Sequence, residues 1–172
     1  MILFRDDWQH YPSAIVHVNT RNRSFLRLAQ MYKAMGLKNH FFHLALLNKD
    51  LEHVDPHDPN LSLEQMEMIG LECKYNPWYF FREVFKVPPV ASAHPRVFEA
   101  NRGNIALFWC FFNHIDIFLI QPRQTGKSVS TDALSTFVIR VGTQNTTVVL
   151  LTKDNELRKK NIERLKKMAA YL

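Results

Sequence analysis

The sequence predicts an α/β fold with a parallel βαβ core and a helical N-terminal subdomain before it. Three observations carry this prediction. A short apolar run, residues 115–120, precedes a loop that contains Gly-Lys-Ser at residues 126–128. A helix-compatible segment, residues 129–141, follows the loop. A second short run, residues 146–152, is apolar and β-branched, which is typical of a buried parallel strand.

The loop has the composition of a phosphate-binding loop, or P-loop, and spans residues 121–128. Backbone N–H groups and the helix dipole favour phosphate at such a place, and Gly126 lets the backbone pass close to it. Lys127 can reach the β and γ phosphate oxygens, and the Ser128 hydroxyl can bind Mg²⁺. The strict pattern begins with glycine, whereas this loop begins with Gln121. A structural βα turn that happens to contain a lysine is therefore the alternative.

We expect residues 1–89 to form the helical subdomain and residues 90–172 to begin the nucleotide domain. A Pro-Pro pair at residues 88–89 marks the border, because it stops the preceding helix. Helices are predicted from about residue 20 to 35, from 39 to 48, and from Ser62 onward with a capping box to Gln65. The next predicted helix runs from 78 to 86, after Asn76 as its cap and Pro77 as its first residue. One or two helices are predicted over 95–112, and a last one from Asp154 or Asn155 to the end.

The amino-acid composition indicates a globular protein and argues against several other classes. Hydrophobic residues make up 47% and charged residues 22%, as in ordinary globular proteins. No apolar run approaches the length of a membrane span, and the N-terminus lacks the features of a signal peptide. The two cysteines, Cys73 and Cys110, form no metal or disulfide pattern, which favours a reducing compartment.

The positive charge is concentrated at the end of the chain. Residues 1–120 contain 12 Lys/Arg and 12 Asp/Glu, whereas residues 121–172 contain 10 Lys/Arg and 4 Asp/Glu. A basic excess beside a phosphate site suits an anionic polymer as partner. The last predicted helix carries most of it and could contact DNA phosphates, although a solvated amphipathic helix explains the same pattern.

Two segments resemble the N-terminal ATPase region of the large terminase subunit of tailed bacteriophages, which is the motor of DNA packaging. The first is Arg-Gln-Thr-Gly-Lys-Ser, residues 123–128, because the family often lacks the first P-loop glycine. The second is E-C-x-x-N-P-W-Y-F-F-R-E-V, residues 72–84, which is similar to the segment that lies near the adenine. The likeness covers about residues 72–152.

The resemblance implies an ASCE-type P-loop domain that binds ATP and Mg²⁺. Lys127 and Arg123 are the implied catalytic residues, with Arg123 sensing or stabilising the γ-phosphate. Ser128 is the implied Mg²⁺ ligand, and Tyr79 is expected at the adenine. The implied nucleotide-binding residues are Gln121, Pro122, Arg123, Gln124, Thr125, Gly126, Lys127, Ser128 and Tyr79. Arg123 could instead pair with a carboxylate, and the aromatic residues around Tyr79 could simply form core.

The same resemblance implies partners and a place of action. The partners are double-stranded DNA, the portal protein of the procapsid, the small terminase subunit and further copies in a ring, with no membrane. The place is the host cell cytoplasm, transiently at the procapsid portal. A terminase also needs a strand ending in Asp-Glu (the Walker B motif) and a nuclease domain, and neither follows Ser128 in this sequence. We therefore expect an N-terminal fragment of the ATPase and endonuclease that binds nucleotide weakly and hydrolyses it poorly.

Two alternatives remain at this stage. One is a helicase-like P-loop ATPase that acts on nucleic acid. The other is a non-catalytic interaction module whose P-loop is vestigial and whose helical half binds a partner.

Overall fold

The computed structural model describes residues 10–89, 94–122 and 126–145, residues 147, 149 and 151, and residues 153–172. These residues form a mixed structure of helices and two small antiparallel sheets. The helices are α1 (Arg23–Ala34), α2 (Leu63–Tyr75), α3 (Pro77–Tyr79), α4 (Arg102–Phe112), α5 (Lys127–Phe137) and α6 (Asn155–Ala169). The strand pairs are β1 (Ile15–Val16) with β2 (Ala45–Leu46), and β3 (Lys86–Val87) with β4 (Arg96–Val97). No helix in the described part is long and apolar enough to cross a membrane.

Local signals in the sequence set several helix starts. Ser62 and Gln65 form the predicted capping box at the start of α2, in which each backbone N–H donates to the side-chain oxygen of the other residue, at 3.0 and 3.1 Å. Asn76 caps α3, and Pro77 is its first residue. Asp154 caps α6 by accepting a bond from the backbone N–H of Leu157. These starts confirm the predictions made from the sequence.

The predicted helix at residues 39–48 is wrong. The segment contains a 3₁₀ turn, Phe42–Leu44, followed directly by β2. Its apolar residues face inward because the segment is buried, and the ring of His43 bonds the carbonyl of Phe25 at 3.0 Å. A short buried run has no solvent face, so its periodicity does not distinguish a helix from a strand.

Two helices end in π turns, in which the backbone bonds to the fifth residue back instead of the fourth. α3 continues as a π turn over Phe80–Val84, closed by the N–H of Phe85 on the carbonyl of Phe80 at 2.8 Å. α5 continues in the same way over Val138–Gly142. With its π turn, α5 therefore extends to Gly142, the residue that follows the helix-compatible segment 129–141.

One hydrophobic core joins the early helices to α4 and α5. The ring of Phe81 stacks on that of Phe108 with centroids 4.2 Å apart, and Phe80 contacts Phe137 at 5.3 Å. The aromatic segment that begins at Pro77 is thus surrounded by the helices on both sides of residue 89. The expected domain border at that residue stays a prediction, but the core is continuous across it.

The expected strand at residues 115–120 is absent from the structure, where this segment is irregular. Phe118 is 92% exposed and Ile120 is 82% exposed. A strand forms only beside another strand that satisfies its backbone N–H and C=O groups, and both sheets of the described residues lie elsewhere. The second expected strand, residues 146–152, falls partly outside the described residues, and its described members are exposed. The described residues thus contain no parallel sheet.

Candidate phosphate-binding site

α5 begins directly after Gly126, whose φ of 79° lies in the left-handed region that glycine adopts easily. No side chain caps this helix start among the described residues. The N–H groups of the first turn have no acceptor within the helix, and they lie at the positive end of its dipole. Phosphate is the kind of group that such a helix start favours.

The ammonium group of Lys127 lies over the beginning of the loop. Its Nζ donates to the carbonyl oxygen of Gln121 at 2.5 Å and to that of Pro122 at 3.1 Å. An ammonium group has three N–H donors, and these carbonyls take two of them. The ammonium group thus lies beside the first two residues of the loop, and the role expected of Lys127 at the phosphates stays a prediction.

The hydroxyl groups in the first turns of α5 either bond the helix backbone or are exposed to solvent. Ser130 donates to the carbonyl of Gly126 at 3.0 Å, and Thr131 donates to that of Lys127 at 3.1 Å. Ser128, the expected Mg²⁺ ligand, is exposed to solvent instead. The described residues contain no cluster of three or more His, Cys, Asp or Glu side chains that could hold a metal ion.

Three predicted loop residues, Arg123, Gln124 and Thr125, lie outside the described residues. The role expected of Arg123 at the γ-phosphate therefore stays a prediction.

A cleft of about 330 Å³ lies beside the start of α5. Gly126, Val129 and Ser130 form one wall, and the β3–β4 pair forms another with Val87 and Arg96. Its volume is at the lower end of the range for small-molecule sites. Arg96 is exposed and adds a second cation near the helix start.

Tyr79 lies in the core and does not line this cleft. Its side chain is 0% exposed, and its hydroxyl has no hydrogen-bond partner in the structure. Burial raises the pKa of this phenol well above its usual value. A contact between Tyr79 and adenine would require the side chain to leave the core. The contact stays a prediction.

Sequence reasoning missed the residues at the start of α4 that complete the cleft. Asn101 and Asn104 form a capping box, with the two backbone–side-chain bonds at 2.9 and 3.0 Å. The spacing of two asparagines three residues apart was the available signal. Arg96 had no signal in the sequence, because its position depends on the pairing of β3 with β4.

α6 is attached to α5 through a polar contact. The guanidinium of Arg164 bonds the carboxylate of Asp132, which is buried one turn after Ser128. Met168 is the fully buried side chain of α6 among the described residues. The basic residues Lys159, Lys160, Lys166 and Lys167 of α6 are exposed.

A search of protein-family models, of curated proteins and of solved structures found no match to this chain.

Proposed function

We propose that this chain binds Mg-ATP at residues 121–128 and is the N-terminal part of a DNA-packaging terminase large subunit. One observation supports the nucleotide site: a helix without a side-chain cap starts at a left-handed glycine, and the ammonium group of the next residue bonds the carbonyls of Gln121 and Pro122.

The residues present fit the phosphate end of a nucleotide. The N–H groups of the first turn of α5 would bind phosphate oxygens, and Lys127 would turn one or both of its bonds from the carbonyls of Gln121 and Pro122 to the phosphate. The exposed hydroxyl of Ser128 would hold Mg²⁺. When bound, the ion would neutralise charge that develops on the phosphate oxygens.

The parallel core of a P-loop ATPase is part of this proposal. Residues 115–120 and 146–152 precede and follow α5 in the sequence, which is the order of a βαβ unit, although residues 115–120 form no strand in this structure. Phe118 at 92% and Leu151 at 89% exposure are apolar side chains without cover. Strands from the rest of an ATPase domain would bury them, which makes the exposed apolar residues a supporting observation.

Double-stranded DNA is the proposed substrate of translocation. The exposed lysines of α6 provide a surface that can contact phosphate without reading sequence. The portal protein, the small terminase subunit, the ring of subunits and the nuclease activity follow from the resemblance to terminases and belong to the same proposal.

Isothermal calorimetry with a non-hydrolysable ATP analogue and Mg²⁺ tests the nucleotide site. We expect Lys127→Ala to weaken binding about tenfold or more, because it removes a charged donor. Lys74→Ala is the matched control, since Lys74 is an exposed helical lysine on α2. Binding that is absent, or that is equal in wild type and Lys127→Ala, would contradict the proposal and favour a vestigial loop in an interaction module.

A further inference from the structure

The first residue of the loop is in contact with the start of α4. A Cβ placed on Gly103 would lie 2.8 Å from the side-chain Nε2 of Gln121. The same Cβ would lie 3.2 Å from the Oδ1 of Asn101, which caps α4. The carboxamide of Gln121 therefore occupies the space that any other residue at position 103 would fill.

Gln121 also contacts the lysine of the loop. Its carbonyl oxygen accepts the bond from Lys127 at 2.5 Å, while its side chain lies against Gly103. One residue thus connects the first turn of α4 to the first turn of α5. The capping box of Asn101 and Asn104 holds the α4 side of this connection.

Gly103 has no advantage for the helix itself, since glycine is less favourable than alanine within a helix. The strict P-loop pattern has glycine where this chain has Gln121. A glutamine there adds a long side chain that must be placed beside the loop. The absence of a side chain at Gly103 on the facing helix leaves the space that the carboxamide of Gln121 occupies.

We propose that Gly103 and Gln121 are a pair of positioning residues that sets the place of Lys127 relative to α4. This inference rests on the proposed nucleotide site for its functional effect. Its structural content, the coupling between positions 103 and 121, does not depend on a bound nucleotide.

The test is a double-mutant cycle of Gly103→Ala and Gln121→Ala, with affinity for the ATP analogue and thermal unfolding measured on each protein. We expect Gly103→Ala to displace the carboxamide of Gln121 and to weaken binding by about threefold or more, with only a small change in Tm, because the atom that must move is the end of a flexible side chain. In the Gln121→Ala background, Gly103→Ala should have no further effect on binding. Gly70→Ala on α2 is the matched control, because an added Cβ there meets nothing within 4 Å.

Backbone amide NMR separates the two proposals. We expect Gly103→Ala to shift the signals of Lys127 and Ser128, and to shift them much less when Gln121 is already alanine. Wild-type affinity in Gly103→Ala, or equal effects of Gly103→Ala in both backgrounds, overturns the positioning pair. If wild type shows no Lys127-dependent binding, the nucleotide site fails, and the amide shifts alone decide whether the pair exists.

Discussion

The region before residue 90 and the region after residue 112 use different interactions. In the first, buried side chains bond backbone groups that are distant in sequence. Arg82 donates to the carbonyls of His43 and Ala45 at 2.6 and 3.2 Å, and the carboxylate of Glu72 accepts from the N–H groups of Leu47 and Asn48 at 2.9 and 3.0 Å. These bonds satisfy backbone groups within and beside the short strand β2.

In the second region the described apolar residues between the helices are largely exposed. α5 packs on the common core through Ala133, Leu134 and Phe137, whereas residues 115–120 lie outside it. The difference shows that buried side chains order the first region, whereas the apolar side chains of residues 115–120 are left largely exposed among the described residues.

The largest expected contrast is between two phenylalanines. Phe108→Ala should lower the free energy of unfolding by about 3–5 kcal/mol, because it leaves a cavity beneath Phe81. Phe118→Ala should change it by less than about 0.5 kcal/mol, because the ring is exposed. Urea unfolding of wild type and both variants measures these changes in the free energy of unfolding. Similar costs at the two positions would mean that residues 115–120 are buried in solution.

Acid should destabilise the first region through Glu83. Burial alone would raise the pKa of this carboxyl group, but the hydrogen bond from His17 and the charge of Arg82 outweigh it, and the pKa falls from 4.5 to about 2. The stabilisation is therefore complete above about pH 4.5 and is lost as the pH falls toward 2.

The expected size of this effect is on the order of 3 kcal/mol between the two pH values. Glu83→Gln should be less stable at pH 7 and should lose less stability on acidification. Glu67→Gln, an exposed change on α2, should keep the wild-type profile. Unfolding curves recorded from pH 2 to 7 give the free energy of unfolding at each pH. If this free energy changes with pH by the same amount in wild type and in Glu83→Gln, the role of Glu83 is contradicted.

A smaller effect is expected where α6 meets α5. Arg164→Ala removes the bond to the carboxylate of Asp132 and should cost about 1.5 kcal/mol. The loss of stability should be confined to α6, so amide hydrogen exchange should accelerate in α6 and stay unchanged in α1. Lys160→Ala removes an exposed pair with Glu156 and should have little effect on either helix. Equal acceleration in α1 and α6 would show that the two regions unfold together.

The smallest change in stability is expected for the exposed lysines of α6. Replacing Lys159 and Lys160 with glutamate should leave the unfolding curve nearly unchanged but weaken DNA binding. If these side chains contact phosphate, the slope of log K against log salt should decrease by about 2. Fluorescence anisotropy at several salt concentrations measures the slope. An unchanged slope excludes a phosphate contact there.

The sequence predicted those features that depend on neighbouring residues. The caps at Ser62, Asn76 and Asp154, and the helix after the Gly-Lys-Ser motif, use contacts within one or two turns. Positions set by distant contacts were missed. The segment from 39 to 48 forms no α-helix because it lies against α1 and its residues 45–46 pair with β1.

The residues of the candidate site show the same difference between local contacts, which the sequence predicts, and distant contacts, which it does not. Lys127 and Ser128 lie at the start of α5 as the motif predicts. The contact between Gln121 and Gly103 joins residues 18 positions apart, and no local pattern reports it. Tyr79 was expected near the nucleotide by resemblance, but its place in the core follows from packing around α3.

The two π turns constrain how the length of this chain can change. Each turn holds one residue more than an α-helix needs, so each is equivalent to a single-residue insertion. Deleting one residue within Phe80–Val84 would restore the α-helical bond pattern and rotate the following chain by about 100°. Phe85 would then point away from the core. Relatives of this chain should therefore keep the number of residues in these turns even where they change the residues themselves.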